Sequence, residues 1–231
     1  LPVAAEEKRA VEEIVFAVFA ERGYREIIPP TFEYLDVLAQ GLDAELIEKS
    51  YKVVDRATGR ILVMRPDVTA QIARMVAMGM VDQPLPLRLC YSANIFRYEP
   101  EHAGRDREIF QIGIELIGPK GTAADVEPIM VAAECLRRLG ITVFTIAMGQ
   151  GACFNALLRP TGVAASVQGR LREAAARKDV PRMEVLLHGA GVRGRAAKAL
   201  LAVPGLFGGY EILEAAGRLA PRSEDCRRPL A

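Results

Sequence analysis

Apolar and polar residues alternate with a period of two from Phe110 to Leu116. Phe110, Ile112, Ile114 and Leu116 therefore share one face of a strand, and Gln111, Gly113 and Glu115 share the other. A second strand-like run starts at Leu87. The stretch from Leu87 to Gly118 thus predicts a hairpin around the polar loop Pro100 to Arg107, which carries Gly104, Arg105 and Arg107. The apolar face predicts a buried sheet surface. The other face sets an amide and a carboxylate on either side of a glycine that leaves room for a ligand, and Arg97 and Glu99 close the first run beside the loop. A polar, glycine-opened face on a core-like hairpin is the predicted binding site.

The rest of the chain is arranged around this hairpin. Val11, Ile14, Val15, Val18 and Phe19 fall at helical spacing, predicting an amphipathic helix over 4–22 with Gly23 as its stop. Tyr24 to Tyr34 reads as extended, and Pro29 and Pro30 confine it to a sheet edge or an interface. A loop and a short helix follow, and then paired strands at 51–55 and 60–64. Pro66 forces Arg65 to be extended, and Asp67 or Thr69 can cap a helix from Ala70 to about Met78. Ala123 to Leu139 is a further amphipathic helix. The continuously apolar run Ile141 to Met148 predicts a central strand. Gly149-Gln150-Gly151 then reads as a plain turn, because Phe154 stands where a dinucleotide fingerprint needs a third glycine. From Ala152 onward, short helical patterns at 163–178, 180–187, 192–202 and 209–219 are broken by Gly and Pro. Their many basic residues read as a solvated face. The predicted organisation is a domain over 1–149, a helical insertion over 150–220 and an irregular tail over 221–231.

Composition narrows the chemistry. A hydrophobic fraction of 51% supports a real core, and a formal net charge of +1 gives no signal for a nucleic-acid partner. The four cysteines form no C-x-x-C pair, and the two histidines, His102 and His188, are far apart, so neither a metal site nor a catalytic triad is expected. No cofactor is expected either. No apolar run reaches membrane-spanning length, and Glu6, Glu7, Lys8 and Arg9 precede the first apolar stretch, unlike a signal peptide. A cytoplasmic protein without a membrane partner is expected.

Two segments carry a specific resemblance: Met64-Arg65-Pro66-Asp67-Val68-Thr69-Ala70-Gln71-Ile72-Ala73-Arg74, and Asn94 to Gly118 with its Phe-Arg-Tyr-Glu and Arg-x-Arg-Glu-x-Phe-Gln-x-Gly-x-Glu. In this order they resemble the catalytic domain of class II aminoacyl-tRNA synthetases, most closely histidyl-tRNA synthetase and its paralogue, the regulatory subunit of the short-form ATP phosphoribosyltransferase. Asp67-Val68 in place of Glu-Gly, together with Lys178-Asp179 and Leu206-Phe207-Gly208-Gly209-Tyr210-Glu211, is similar to the paralogue. The resemblance implies an α/β (α+β) fold, an antiparallel sheet flanked by helices with a small helical insertion. It also implies a non-catalytic subunit that activates a short catalytic subunit and conveys feedback by histidine in histidine biosynthesis. The segment Tyr24 to Tyr34 matches the family's dimer-forming motif, implying a homodimer within a hetero-oligomer. The alternative is a histidyl-tRNA synthetase fragment or another enzyme that activates an amino acid with ATP. The synthetase's motif 3 arginine and anticodon-binding domain have no counterpart in this sequence, and no aminoacylation is expected.

The resemblance also implies site residues. Asp67 and Thr69 match the groups that grip a histidine ammonium, Gln111 one near its carboxylate and amino group, and Glu115 the carboxylate that reads the imidazole. Arg97 matches the arginine that meets the ATP α-phosphate and the substrate carboxylate. Arg97, Glu99, Arg105 and Arg107 together form a nucleotide-binding-like set. Asp67 is one methylene shorter than the synthetase's Glu, and Val68 narrows the approach where the synthetase has glycine.

Overall fold

A computed structural model describes residues 2–98, 107–149 and 151–219. The chain divides into two compact units, 1–144 and 145–231. In the first unit the elements run α1 (Pro2–Glu21), β1 (Arg25–Glu26), β2 (Phe32–Tyr34), α2 (Leu35–Leu38), α3 (Ala44–Glu48), β3 (Lys52–Val54), β4 (Ile61–Met64), α4 (Thr69–Gly79), β5 (Leu87–Phe96), β6 (Glu108–Ile117) and α5 (Thr122–Arg138).

Two three-stranded sheets result, in the orders β1-β5-β6 and β2-β4-β3. β5 and β6 form the predicted hairpin, antiparallel from Leu87 opposite Ile117 to Phe96 opposite Glu108. β1 departs from the antiparallel expectation, pairing parallel with β5 through Arg25 opposite Leu89 and Glu26 opposite Cys90. Pro29 and Pro30 lie between β1 and β2, each an edge strand, where a missing N–H costs no ladder bond.

The alternation of β6 is realised as two covered faces. Ile112 and Ile114, with Cys90, pack against Val15, Val18 and Phe19 of α1 and Val131 and Cys135 of α5. On the other face Leu87, Leu89, Tyr91, Ala93 and Ile95 pack against Val68 and Ile72 at the start of α4. Each large apolar side chain so buried contributes roughly 1.5–3 kcal/mol. Polar ties close the α1–α5 side. Arg88 Nε and Nη2 donate to Glu127 at 2.7 and 2.9 Å, and the Tyr24 hydroxyl donates to the same carboxylate at 3.0 Å. Arg138 Nη1 donates to Glu21 Oε1 at 2.7 Å.

Arg65 joins the two sheets. Its backbone N–H donates to Thr31 O at 3.0 Å, and its carbonyl accepts from Phe96 N at 2.9 Å. Its guanidinium donates to Asn94 O at 2.6 Å, Pro29 O at 2.8 Å and Pro30 O at 3.4 Å. It is 8% exposed, and no described carboxylate pairs with it.

The expected strand at 141–148 does not form. The run is irregular and Val143 is 92% exposed. A continuous apolar run carries no register of its own, and neither sheet extends to it.

The second unit is helical: α6 (Gly151–Leu158), α7 (Ala165–Ala176), α8 (Val180–Gly189), α9 (Gly194–Ala202) and α10 (Glu211–Leu219). Leu158, Leu171, Met183, Leu187 and Leu200 form its core, each at most 1% exposed. Asp179 caps α8 by accepting from Arg182 N at 3.0 Å. The expected tail at 221–231 lies outside the described residues. No helix among the described residues is long and apolar enough to cross a membrane.

Candidate functional site

Three segments meet where β4 runs into α4. Pro66 sets the turn, and Asp67 Oδ1 accepts from Thr69 N at 2.9 Å. Asp67 thus does the predicted capping, but from one position before the N-cap residue. That residue is the buried Val68, which has no polar side chain to offer. The cap leaves the Thr69 hydroxyl free to donate to Glu115 Oε1 at 2.7 Å, across 46 residues of chain. Arg97, just beyond β5, donates from Nε to Pro66 O at 2.8 Å and brings Nη2 to 3.7 Å from Asp67 Oδ2. Its backbone N–H donates to Arg107 O at 3.0 Å, closing the base of the loop.

On β6, Gln111 stands opposite Ala93, Gly113 opposite Tyr91 and Glu115 opposite Leu89, so all six share the face beside α4. Gln111 Oε1 is buried and has no donor among the described residues. A buried acceptor without a partner is costly, and a ligand N–H would remove the cost.

Burial pushes the Glu115 carboxyl above the usual range. The Thr69 hydrogen bond lowers it and the neighbouring Asp67 charge raises it further. Sequence reasoning missed Tyr91. Burial, then the charges of Glu115 and Asp67, push its phenol up to about 12. Its apolar register on β5 marks it as core, and only its place opposite Gly113 brings it to the site.

The structure corrects one expectation here. The space above Gly113 is not open for a ligand, because the Tyr91 ring fills it. A Cβ added at Gly113 would lie 2.5 Å from the Tyr91 hydroxyl oxygen and 2.6 Å from Cζ. Replacing Gly113 with alanine is therefore expected to displace the ring and destabilise the protein by about 1–3 kcal/mol, measured by chemical denaturation. A loss below a few tenths would show that the ring moves freely.

The structure brings Asp67, Thr69, Arg97 and Glu115 together and places Gln111 on the same face. Arg107 is exposed, with its guanidinium 5.5 Å from the Tyr98 ring centroid. Glu99 and Arg105 lie outside the described residues. Cys90 lies on the opposite face of the sheet, and burial pushes its thiol up to about 11. The site is rich in acceptors, with two carboxylates and an orphaned amide oxygen beside one guanidinium. Such a set suits a small zwitterion whose nitrogens carry several N–H donors and whose carboxylate meets the arginine.

A family model described as Histidyl-tRNA synthetase matches residues 1–231. A protein of Syntrophotalea carbinolica named ATP phosphoribosyltransferase regulatory subunit is 41% identical over 216 residues, covering 94% of this chain and 50% of the relative. One of the same name from Geobacter sulfurreducens is 38% identical, covering 100% and 52%. The chain spans about half the length of the curated relatives it matches. A crystal structure described as an ATP phosphoribosyltransferase regulatory subunit/histidyl-tRNA synthetase from Bacillus halodurans superposes with a TM-score of 0.86 at 30% identity, covering 100% of this chain and 59% of that one. An apo histidyl-tRNA synthetase of S. aureus gives a TM-score of 0.52 at 26% identity, covering 62% and 37%.

Proposed function

This chain belongs to the histidyl-tRNA synthetase family, and on that premise we propose that it serves as the regulatory subunit of a short-form ATP phosphoribosyltransferase. In this reading it is not itself an enzyme. It assembles in the cytoplasm with a short catalytic subunit, activates it and conveys inhibition by histidine. The observation that carries the reading is the acceptor-rich face at Asp67, Gln111 and Glu115. Gln111 Oε1 is buried without a donor among the described residues, and burial holds the Glu115 carboxyl above its ordinary pKa. The ammonium and ring N–H of histidine satisfy these acceptors, and Arg97 takes its carboxylate. The names of the relatives give the same direction.

A homodimer is the building block in this reading. Ile28, 82% exposed, and Phe32, 47% exposed, flank Pro29 and Pro30 on the extended segment that carries the edge strands β1 and β2. Apolar side chains of this size exposed together suit burial against a second copy.

The test is co-purification of the full-length protein with the short catalytic subunit, followed by ATP phosphoribosyltransferase assays with and without histidine. Association, activation and a histidine response of about 5- to 150-fold, the usual range of allosteric coupling, are expected. Failure to associate, or an activity indifferent to both additions, overturns the reading. Histidine-dependent ATP–pyrophosphate exchange would favour instead the amino-acid-activating alternative, to which Arg97 and Arg107 at the base of the loop lend support.

A further inference from the structure

Positive charge is concentrated in the second unit. Residues 145–231 carry 13 Lys and Arg against 7 Asp and Glu, although the whole chain has a net charge of only +1. Some of this charge is answered locally. Arg177 pairs with Glu173 at 3.4 Å, one turn back, and Lys178 lies 5.0 Å from the Phe207 ring centroid. α9 differs. Between Glu184 and Glu211 the sequence has no acidic residue, so α9 has no carboxylate of its own for Arg195 and Lys198. These two stand three residues apart, on one side of the helix. Among the described residues neither forms an ion pair. Arg218 comes from the last turn of α10, and its own partner, Glu214, is exposed and 3.9 Å away, a weak hold.

The three cations meet at a cavity of about 400 Å³, completed by Gly194, Ala199 and Leu219. No acidic residue lines it, so the cations repel one another until an anion enters. Ala199, 6% exposed, and Leu219 supply an apolar wall. The volume is that of a small-molecule site, with room for an organic body beside an anionic group. We infer that this cavity is a second ligand site, for a small phosphorylated molecule. The guanidinium forks of Arg195 and Arg218 suit phosphate oxygens, Lys198 adds a point charge, and the organic part lies along Ala199 and Leu219. An RNA surface would spread its cations to follow several successive phosphates, whereas these three converge on one concavity. The site is independent of the acceptor-rich face in the first unit and of the histidine reading proposed for it.

The test is calorimetric titration of the full-length protein at low salt with inorganic pyrophosphate, AMP and adenosine. Pyrophosphate and AMP are expected to bind, and adenosine, which has the body without the phosphate, is not. Arg195→Gln/Lys198→Gln is expected to weaken both phosphorylated ligands by at least about tenfold. Arg170→Gln/Arg177→Gln removes two exposed charges outside the cavity and is expected to leave both within about twofold. No binding of pyrophosphate and AMP by wild-type protein, unchanged binding by the first pair, equal loss from both pairs, or adenosine bound as tightly as AMP overturns the inference. If the first pair does not fold, Arg218→Gln on the other helix decides: a loss of about threefold or more supports the site, and none overturns it. Filter retention of tRNA that the first pair abolishes, with no binding of pyrophosphate or AMP, would assign the charges to nucleic acid and overturn it as well.

Discussion

Replacing Glu115 with glutamine is expected to lower affinity for histidine by about 100-fold or more, the scale of losing one partner of a desolvated ion pair, and at the same time to make the ligand-free protein more stable at pH 8. The two effects share one cause. Burial raises the Glu115 carboxyl above its unfolded value, against the hydrogen bond from Thr69 and with the help of Asp67. The folded state therefore binds this proton more readily than the unfolded state does. Its contribution to stability is fully present below the ordinary glutamate pKa and is lost as pH rises through the raised one. Glutamine keeps the shape and an oxygen for Thr69 but carries no charge to desolvate. The stabilisation from Glu115→Gln should accordingly be largest at neutral and alkaline pH and shrink toward zero near pH 4. Thermal unfolding across that range, with calorimetry at pH 7.5, reads both effects. A variant less stable than wild type at pH 8, or one that binds histidine undiminished, would contradict this account.

Replacing Arg65 with methionine is expected to cost about 3–5 kcal/mol, since acceptors left without donors in the interior cost roughly 1–3 kcal/mol each. The aliphatic stem is replaced almost in kind, but the carbonyls of Pro29, Pro30 and Asn94 lose their shared partner. Against a typical total of about 5–15 kcal/mol, that loss is large for one side chain. Lysine should recover only part of it, because a single ammonium cannot reproduce the planar fork that spans two segments. The chain has no Trp, so urea unfolding followed by far-UV circular dichroism is the measurement. A cost below about 1 kcal/mol would show that water replaces the guanidinium at those carbonyls. Arg65 also supplies the backbone acceptor for Phe96, next to Arg97. The same substitution is therefore expected to loosen the Arg97–Asp67 geometry.

The alternation on β6 correctly placed Ile112 and Ile114 on the face that packs against α1 and α5, because a strand's period is two, but not the closing of its other face by the Tyr91 ring. The helical patterns of the second unit likewise appear as α7 to α10, and α7, α8 and α9 contribute apolar residues to one small core. Other features left no local trace. Arg25 and Glu26 lie in the segment read as extended, but nothing local shows that they pair in parallel with β5. The run 141–148 is apolar enough for a central strand, but pairing is a property of the neighbours. Of the site, Asp67, Thr69, Arg97 and Glu115 could be named through the family's motifs. The periodicity of β6 alone pointed to Gln111, Gly113 and Glu115. Tyr91 read as core, because nothing local reveals that the missing side chain of Gly113 admits its ring.

The ties between α1 and α5 carry a consequence for how the protein is made. Tyr24 bonds to Glu127 across 103 residues, and Glu21 to Arg138 across 117. Closing such loops precedes any reward from the contacts they permit, so contacts of this span slow folding. During synthesis α1 leaves the ribosome before its partners and waits, its apolar stripe fully covered only when the β5–β6 hairpin and then α5 have followed. The helical unit faces a shorter delay, since α7 packs on α8 and α8 on α9, helices that follow one another along the chain. α1 is thus a segment that needs shielding on the nascent polypeptide.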